Sequence, residues 1–248
     1  MFNFRFNFIR SVSPPPRRRF IYLNTTVLLS LCFAVARGVI QQENHPPLVK
    51  INSPKNNAVI AIGASVSYEI DVDDKEDGNS KYDEINNKEI LLEVKLVKDR
   101  PNPADKIVTP DLPALTIMRT SNCFNCHNFN GKSIGPSFYD ISKRYPLNIT
   151  NTDTLVKRIR MGSSEIWGKE KMPAHPELTT QAIKTTVNWI LKHAADPGTN
   201  YYIGATGIMR VNKGGLYRLT ASYLDHGEKG APGRQRLKGQ DIIYINSK

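Results

Sequence analysis

The stretch Cys123-Phe124-Asn125-Cys126-His127 is the most informative part of this chain. Its two cysteines lie three positions apart, about one helical turn, and the histidine follows the second cysteine directly. In a cytosolic protein such a pair is also typical of a zinc half-site or a redox dithiol. The 248 residues contain only one further cysteine, Cys32, so no second pair exists to complete a zinc site.

The same pattern is that of a covalently attached haem. At this spacing both thiols can reach the haem vinyl groups, and the imidazole of the next residue points at the iron. One haem would consume both thiols and leave no disulfide framework. The motif therefore predicts one covalent haem c, attached through Cys123 and Cys126 and bound at the iron by His127.

The segment Ile117 to Leu191 resembles a class I cytochrome c of the small bacterial electron-carrier type. Stretches after the attachment motif keep the order of that family: Ile134-Gly135-Pro136-Ser137-Phe138, Ile159 to Gly168, Lys171-Met172-Pro173 and Val187 to Leu191. Each stretch is weak alone, but the ordered set is specific. The resemblance implies an all-α cytochrome c fold, and the change from alternating to helical periodicity gives that domain the bounds 113–195.

The resemblance also implies a role for each matching residue. His127 would be the proximal ligand, the carbonyl of Pro136 would accept its other ring N–H, and Met172 would supply a distal thioether. Trp167 would lie near a haem propionate. Such a six-coordinate haem suits electron transfer rather than catalysis, so no catalytic residue is expected.

Two alternatives to Met172 ligation follow from the residues themselves. Methionine is a flexible gap-filler, so Met172 could be a core residue. His175 lies three positions further on and could compete for the iron, and two nitrogen ligands would give a lower reduction potential. His45, His193 and His226 lie near domain edges and are expected to be solvated.

The N-terminus has the pattern of a secretion signal over residues 1–36. Five arginines precede the apolar run Thr26 to Ala36, which ends in Ala34-Val35-Ala36, a small-x-small cleavage pattern. The run is too short to cross a bilayer comfortably; an uncleaved anchor is the alternative. Export agrees with the haem motif, and it predicts a periplasmic protein or one on the outer face of the cytoplasmic membrane.

The flanking residues 43–100 and 200–248 alternate polar and apolar positions, as in Ser65 to Val72, which is the pattern of strands. They resemble the two halves of a PKD or immunoglobulin-like β-sandwich. Neither half alone would cover its apolar faces, and together they supply about one sandwich. We therefore expect a multi-domain α and β protein with the cytochrome inserted into one sandwich; two independent modules are the alternative.

The chain is strongly basic, with a formal charge of +11. Residues 113–195 hold eleven Lys or Arg and five Asp or Glu, a surplus of six that favours an acidic redox partner. The resemblance to exported proteins that join a sugar-dehydrogenase propeller, a PKD-like domain and a cytochrome suggests a quinoprotein dehydrogenase or a terminal oxidase as that partner. Alternatives are a haem subunit of a dehydrogenase complex and a sandwich that binds carbohydrate or a surface. Nucleic acid is not expected.

Overall fold

The computed structural model of the protein describes residues 43–100, 112–227 and 235–248. These residues form two β-sheets and a segment of helices. The predicted signal, residues 1–36, lies outside the described residues. Residues 43–248 form one compact unit. Within the described residues no helix is long and apolar enough to cross a membrane.

The first sheet is centred on β3, Ser65–Asp74. It pairs antiparallel with β1 (Leu48–Ser53), β4 (Gly78–Asn79) and β7 (Thr206–Arg210). Burial along β3 follows the alternation of apolar and polar residues in its sequence. Tyr68, Ile70 and Val72 face the core, whereas Ser67 and Glu69 do not.

The second sheet has five strands: β2 (Val59–Ile60), β5 (Leu91–Val97), β6 (Thr199–Ile203), β8 (Gly215–Leu224) and β9 (Lys238–Ser247). Their order across the sheet is β2-β9-β8-β5-β6. The pairs are antiparallel except for β2 and β9, which run parallel. Buried residues of both sheets, among them Val72, Val94 and Leu219, form one hydrophobic core.

Both sheets combine strands from before and after the helical segment. The chain leaves the second sheet at the end of β5 and returns as β6, which pairs with β5 through Lys95 and Thr199. The two ends of the helical segment therefore lie next to each other on one sheet. The sequence pattern did not indicate β6 as a strand of its own, because Thr199–Ile203 lacks clear alternation.

The helical segment has four α-helices in the described residues, and side chains cap three of them. The hydroxyl of Ser137 accepts a hydrogen bond from the Asp140 N–H at 3.0 Å. In the same way the Asn148 side chain accepts from the Asn151 N–H at 2.8 Å, and the Thr179 hydroxyl accepts from the Ala182 N–H at 3.1 Å. The helices are α1 (Pro113–Thr120), α2 (Phe138–Arg144), α3 (Ile149–Met161) and α4 (Thr180–His193). A short 3-10 helix, Cys123–Asn125, follows α1.

The helices and the second sheet share a hydrophobic cluster. Leu91 of β5 and Tyr201 of β6 pack into the same buried group as Met118, Phe129 and Trp189. Arg119, only 3% exposed, donates hydrogen bonds to the Ser222 carbonyl and hydroxyl at 3.4 and 3.1 Å. The sheet thus supplies part of the core of the helical segment.

The His226 side chain is partly solvated, at 38% exposed, but it is also paired with two carboxylates, which the sequence did not indicate. Its Nδ1 lies 3.0 Å from an Asp77 carboxylate oxygen and its Nε2 lies 3.0 Å from a Glu89 carboxylate oxygen. The imidazole therefore links the end of β8 to two loops of the first half of the chain. Local sequence could not show this, because Asp77 and Glu89 lie far away along the chain.

Candidate haem site

The cysteine motif forms the 3-10 helix and the turn after it. The His127 N–H donates to the Cys123 carbonyl at 3.0 Å, and the Cys126 N–H reaches the same oxygen at 3.3 Å. This winding holds the two thiols about one turn apart, and both are free rather than joined in a disulfide. Burial raises the pKa of the Cys123 thiol to about 12, so the group is protonated at neutral pH.

The His127 imidazole is held in one orientation. It is buried, its Nδ1–H donates to the Pro136 carbonyl at 2.7 Å, and its ring stacks on Phe138 with centroids 5.4 Å apart. Burial lowers the pKa of His127, the bond to Pro136 opposes that, and the charge of His175 adds to the lowering. The ring is therefore neutral, with Nε2 as the nitrogen that can bind a metal.

Gly135 provides the room for this imidazole. A Cβ atom at residue 135 would lie 2.6 Å from His127 Cε1 and 2.9 Å from its Nδ1. The Gly135 N–H donates to the Cys126 carbonyl at 2.8 Å, so the loop from Ser133 to Pro136 is fastened to the cysteine motif. Residue 135 is glycine because a side chain would occupy the space of the ring.

A cavity lies beside the histidine; the empty space there is about 880 Å³, a figure that includes some open solvent at its mouth. Cys126, His127, Pro136, Trp167 and Met172 all line it, whereas Cys123 is not a wall residue and packs against the aromatic cluster. Apolar side chains supply much of the remaining wall: Ile134, Ile141, Leu155, Ile159, Val187 and Ile190. Apart from Cys123, the residues singled out by the motif and by the resemblance are thus brought together around one space.

Met172 reaches this cavity from a loop, residues 162–177, which we call the methionine loop. The Met172 N–H donates to the Ser163 carbonyl at 2.8 Å, and the Ser163 N–H donates to the Met172 carbonyl at 3.1 Å. Gly162 has φ +77°, and a Cβ there would lie 2.8 Å from the Met172 carbonyl oxygen. These contacts fix the backbone of Met172 against the end of α3.

The comparisons with known proteins point to the same segment. The family model for cytochrome c matches residues 114–194. Cytochrome c-551 of Azotobacter vinelandii is 35% identical over 77 residues, which are 31% of this chain and 93% of that protein. The chain belongs to the cytochrome c family.

A second relative agrees with this assignment. Cytochrome c-552 of Hydrogenobacter thermophilus is 33% identical over 76 residues, 30% of this chain and 76% of that protein. The family implies covalent haem c and electron transfer for the matched residues, about a third of the protein, and both β-sheets lie outside them. Among solved structures, Nitrosomonas europaea cytochrome c552 is 30% identical to this chain; the match covers 31% of this chain and 95% of that chain, with a TM-score of 0.30.

The residues of this cytochrome c fit a haem. The Cys126 thiol and a neutral imidazole with a fixed Nδ1–H stand at one wall, the second free thiol is three residues away at Cys123, and a thioether stands in the loop that lines the same cavity. The apolar lining suits a porphyrin, and the space at Gly135 is filled by the ring of His127. When bound, the haem would supply an iron that cycles between Fe(II) and Fe(III).

Trp167 and Arg158 line the cavity, and Arg144 packs against Trp167. The Arg144 guanidinium stacks over the Trp167 ring at 4.5 Å and donates to the Ile166 carbonyl at 3.0 Å. Arg158 lines the cavity and donates to the Tyr145 hydroxyl at 2.6 Å. The sequence indicated Arg158 only as one of the eleven basic residues of 113–195; its spacing of three from Leu155, on the apolar side of α3, was the signal that it faces inward.

Proposed function

We propose that this protein is an exported monohaem cytochrome c that carries electrons on one covalent haem ligated by His127 and Met172. The observation that carries the proposal is that His127, with Nδ1 bonded to Pro136 at 2.7 Å, and Met172 line one cavity beside the cysteine motif. A thioether opposite an imidazole raises the reduction potential and closes the iron to small molecules. Both effects favour electron transfer over catalysis.

The attachment residues then have separate tasks. Cys123 and Cys126 tether the haem, and Pro136 keeps the His127 ring in the tautomer that ligates through Nε2. Trp167, held by Arg144, would lie near a propionate. The apolar wall keeps water from the iron, which limits the reorganisation that a change of oxidation state requires.

The β-sheets are, in this proposal, one PKD-like or immunoglobulin-like sandwich made of residues 43–100 and 200–248, with the cytochrome of residues 113–195 inserted in it. Its support is that β5 pairs with β6 and with β8, so strands on either side of the insertion share a sheet. The shared cluster around Phe129 and Tyr201 would hold the haem domain in a fixed orientation on the sandwich.

The redox partner, we infer, is an acidic protein, either a quinoprotein dehydrogenase or a terminal oxidase. The cytochrome part has a surplus of six basic side chains, and exposed Lys171 and half-buried Arg158 both border the cavity. Opposite charges speed association and orient the encounter. The site of action, from the N-terminal pattern, is the periplasm or the outer face of the cytoplasmic membrane.

Haem content and voltammetry of the exported protein test the proposal. We expect one covalent haem per chain by mass and one reversible one-electron wave. Electron transfer with an acidic partner should slow as salt rises, because exposed charges are screened beyond about 8–10 Å at physiological ionic strength. Protein that is exported and folded but carries no covalent haem, or haem that shows no reversible wave, would contradict the proposed function.

A further inference from the structure

The methionine loop contains a second imidazole close to Met172. The His175 N–H donates to the Ile159 carbonyl at 2.9 Å, and Ile159 is a wall residue of the cavity. The His175 side chain is 17% exposed. The backbone of His175 is therefore fastened to the same helix, α3, whose inner face borders the haem site.

A hydrogen bond from Nδ1 holds the His175 ring with Nε2 available as a ligand. Its Nδ1 lies 2.8 Å from a Glu177 carboxylate oxygen, so Nδ1–H donates to that carboxylate and Nε2 is left as the ligating nitrogen. His127 has the same arrangement with the Pro136 carbonyl. Histidines that bind metals nearly always give their other N–H to a carboxylate or carbonyl, which fixes the ring and raises its basicity.

The pair formed by His175 and Glu177 also lies near the attachment residues. The His175 and His127 imidazoles interact electrostatically, and so do the Glu177 carboxylate and the Cys123 thiol. Such interactions are appreciable only at short range. The two imidazoles therefore belong to one neighbourhood, although His175 is not a wall residue in this conformation.

The methionine loop is only loosely packed around His175. None of residues 162–177 is fully buried, so little packing opposes a shift. Within this loop, His175 lies between the Met172–Ser163 hydrogen bonds and the first turn of α4 at Thr180. Segments with few buried contacts are the ones that rearrange at low cost.

We propose that His175 is a reserve axial ligand, which binds the haem iron through Nε2 when the Met172 thioether is removed. This rests on the proposed function, in which Met172 is the ligand of the intact protein. One coordination bond, from nitrogen, replaces another, from sulfur; the proton stays on His175 Nδ1, where it is hydrogen-bonded to the Glu177 carboxylate, and no electron moves. The iron stays six-coordinate, and the reduction potential falls because a nitrogen replaces the sulfur.

Four full-length haem proteins test this proposal: the wild type, Met172→Ala, Met172→Ala with His175→Ala, and Met172→Ala with His193→Ala. His193 is the matched control, because it is a cytochrome histidine that packs against Trp189 on α4. We measure the oxidised optical and paramagnetic resonance spectra, the reduction potential and carbon monoxide binding. Met172→Leu, which preserves side-chain volume, is measured in parallel in case the alanine variant does not fold.

The expected results separate the ligands. Met172→Ala and its His193→Ala derivative should remain low-spin with two nitrogen ligands, show a lowered potential and bind carbon monoxide slowly. The His175→Ala derivative should become high-spin and bind carbon monoxide at least tenfold faster, and added imidazole should restore its low-spin spectrum, which shows that its fold is intact. Glu177→Gln in the Met172→Ala background should lower the fraction of low-spin haem in these spectra.

A Met172→Ala or Met172→Leu protein that is already high-spin and binds carbon monoxide as fast as the double variant would overturn the proposal. The wild type reports separately on the proposed function. If its oxidised spectrum already has two nitrogen ligands and is unchanged by Met172→Ala, Met172 is not the native ligand, and the proposed His/Met ligation fails rather than the capacity of His175 to bind.

Discussion

The two walls of the haem site are built in different ways. The attachment segment, residues 123–138, contains three phenylalanines that are each 3% exposed, and its aromatic cluster extends to Tyr201 on β6. The methionine loop contains no fully buried residue and is held by a few backbone hydrogen bonds and by Arg144 and Arg160, which donate to the carbonyls of Ile166 and Pro176. One wall is fixed by packing that continues into the β-sheets, while the other depends on local geometry.

This difference has a consequence for ligation. The position of His127 is set by Pro136, Gly135 and Phe138 together, so a change at one contact leaves the others. Met172 relies on Ser163 and on the conformation of Gly162. Variation of the iron ligand is therefore expected on the methionine side and not on the histidine side.

The largest effect is expected from Cys123→Ser combined with Cys126→Ser. Without either thiol no covalent bond to the haem can form, so haem-linked absorbance of the denatured protein should vanish. Mass spectrometry should find the polypeptide alone. Ser121→Ala, next to the motif but without a thiol, should keep the covalent haem; its loss there as well would mean that the assay reports folding.

Phe129→Ala tests whether packing fixes the attachment segment. Phe129 contacts Phe124, Phe138, Trp189 and Tyr201. Removal of a buried aromatic ring should lower the free energy of unfolding by about 3–5 kcal/mol. Denaturant unfolding of the haem protein measures this, with half-exposed Leu147→Ala as the control; equal losses in the two variants would contradict the contrast.

Gly162→Ala tests whether backbone geometry fixes the methionine loop. Its Cβ would meet the Met172 carbonyl at 2.8 Å, and φ is +77°. Gly131 has φ +76° with nothing within 4 Å, so Gly131→Ala is the matched control. Both should lose about 1–3 kcal/mol of stability from backbone strain, but only Gly162→Ala should weaken the Met–iron charge-transfer band.

The smallest effect is expected at His226, far from both walls in sequence. Its hydrogen bond to Glu89 is the main cause that raises its pKa to about 9. Because the folded pKa exceeds the unfolded value of about 6.5, the stabilisation is full below pH 6.5 and is lost as pH rises through 9.

His226→Gln measures this stabilisation. The imidazole is more than a third exposed, so screening limits the effect to about 1 kcal/mol. The difference in unfolding free energy between wild type and variant should be largest near pH 6 and should shrink by pH 10. A difference that is constant across this range would show that the charge of His226 contributes nothing to stability.

The sequence predicted which residues line the candidate site more fully than it predicted the contacts of the fold, and the reason is physical. Cys126, His127, Pro136, Trp167 and Met172 stand in short motifs whose spacing is preserved, and all of them line the cavity. Alternation likewise indicated β3 and β8, because each of these strands buries residues at period two over much of its length.

What the sequence did not show depends on contacts between distant residues. Tyr201 and Leu91 complete the core of the cytochrome, yet neither belongs to its segment of the chain. The link from His226 to Asp77 spans 149 residues. Local periodicity carries no information about such partners, so they emerge only when the sheets are assembled.

The oxidised optical spectrum of the exported wild-type protein tests the central claim, that His127 and Met172 ligate one haem, most directly. We expect a low-spin c-type spectrum with the weak red charge-transfer band of a methionine–Fe(III) bond, and this band should disappear in Met172→Ala. A c-type spectrum that lacks the band, or one that shifts when carbon monoxide is added to the reduced wild type, would contradict the account.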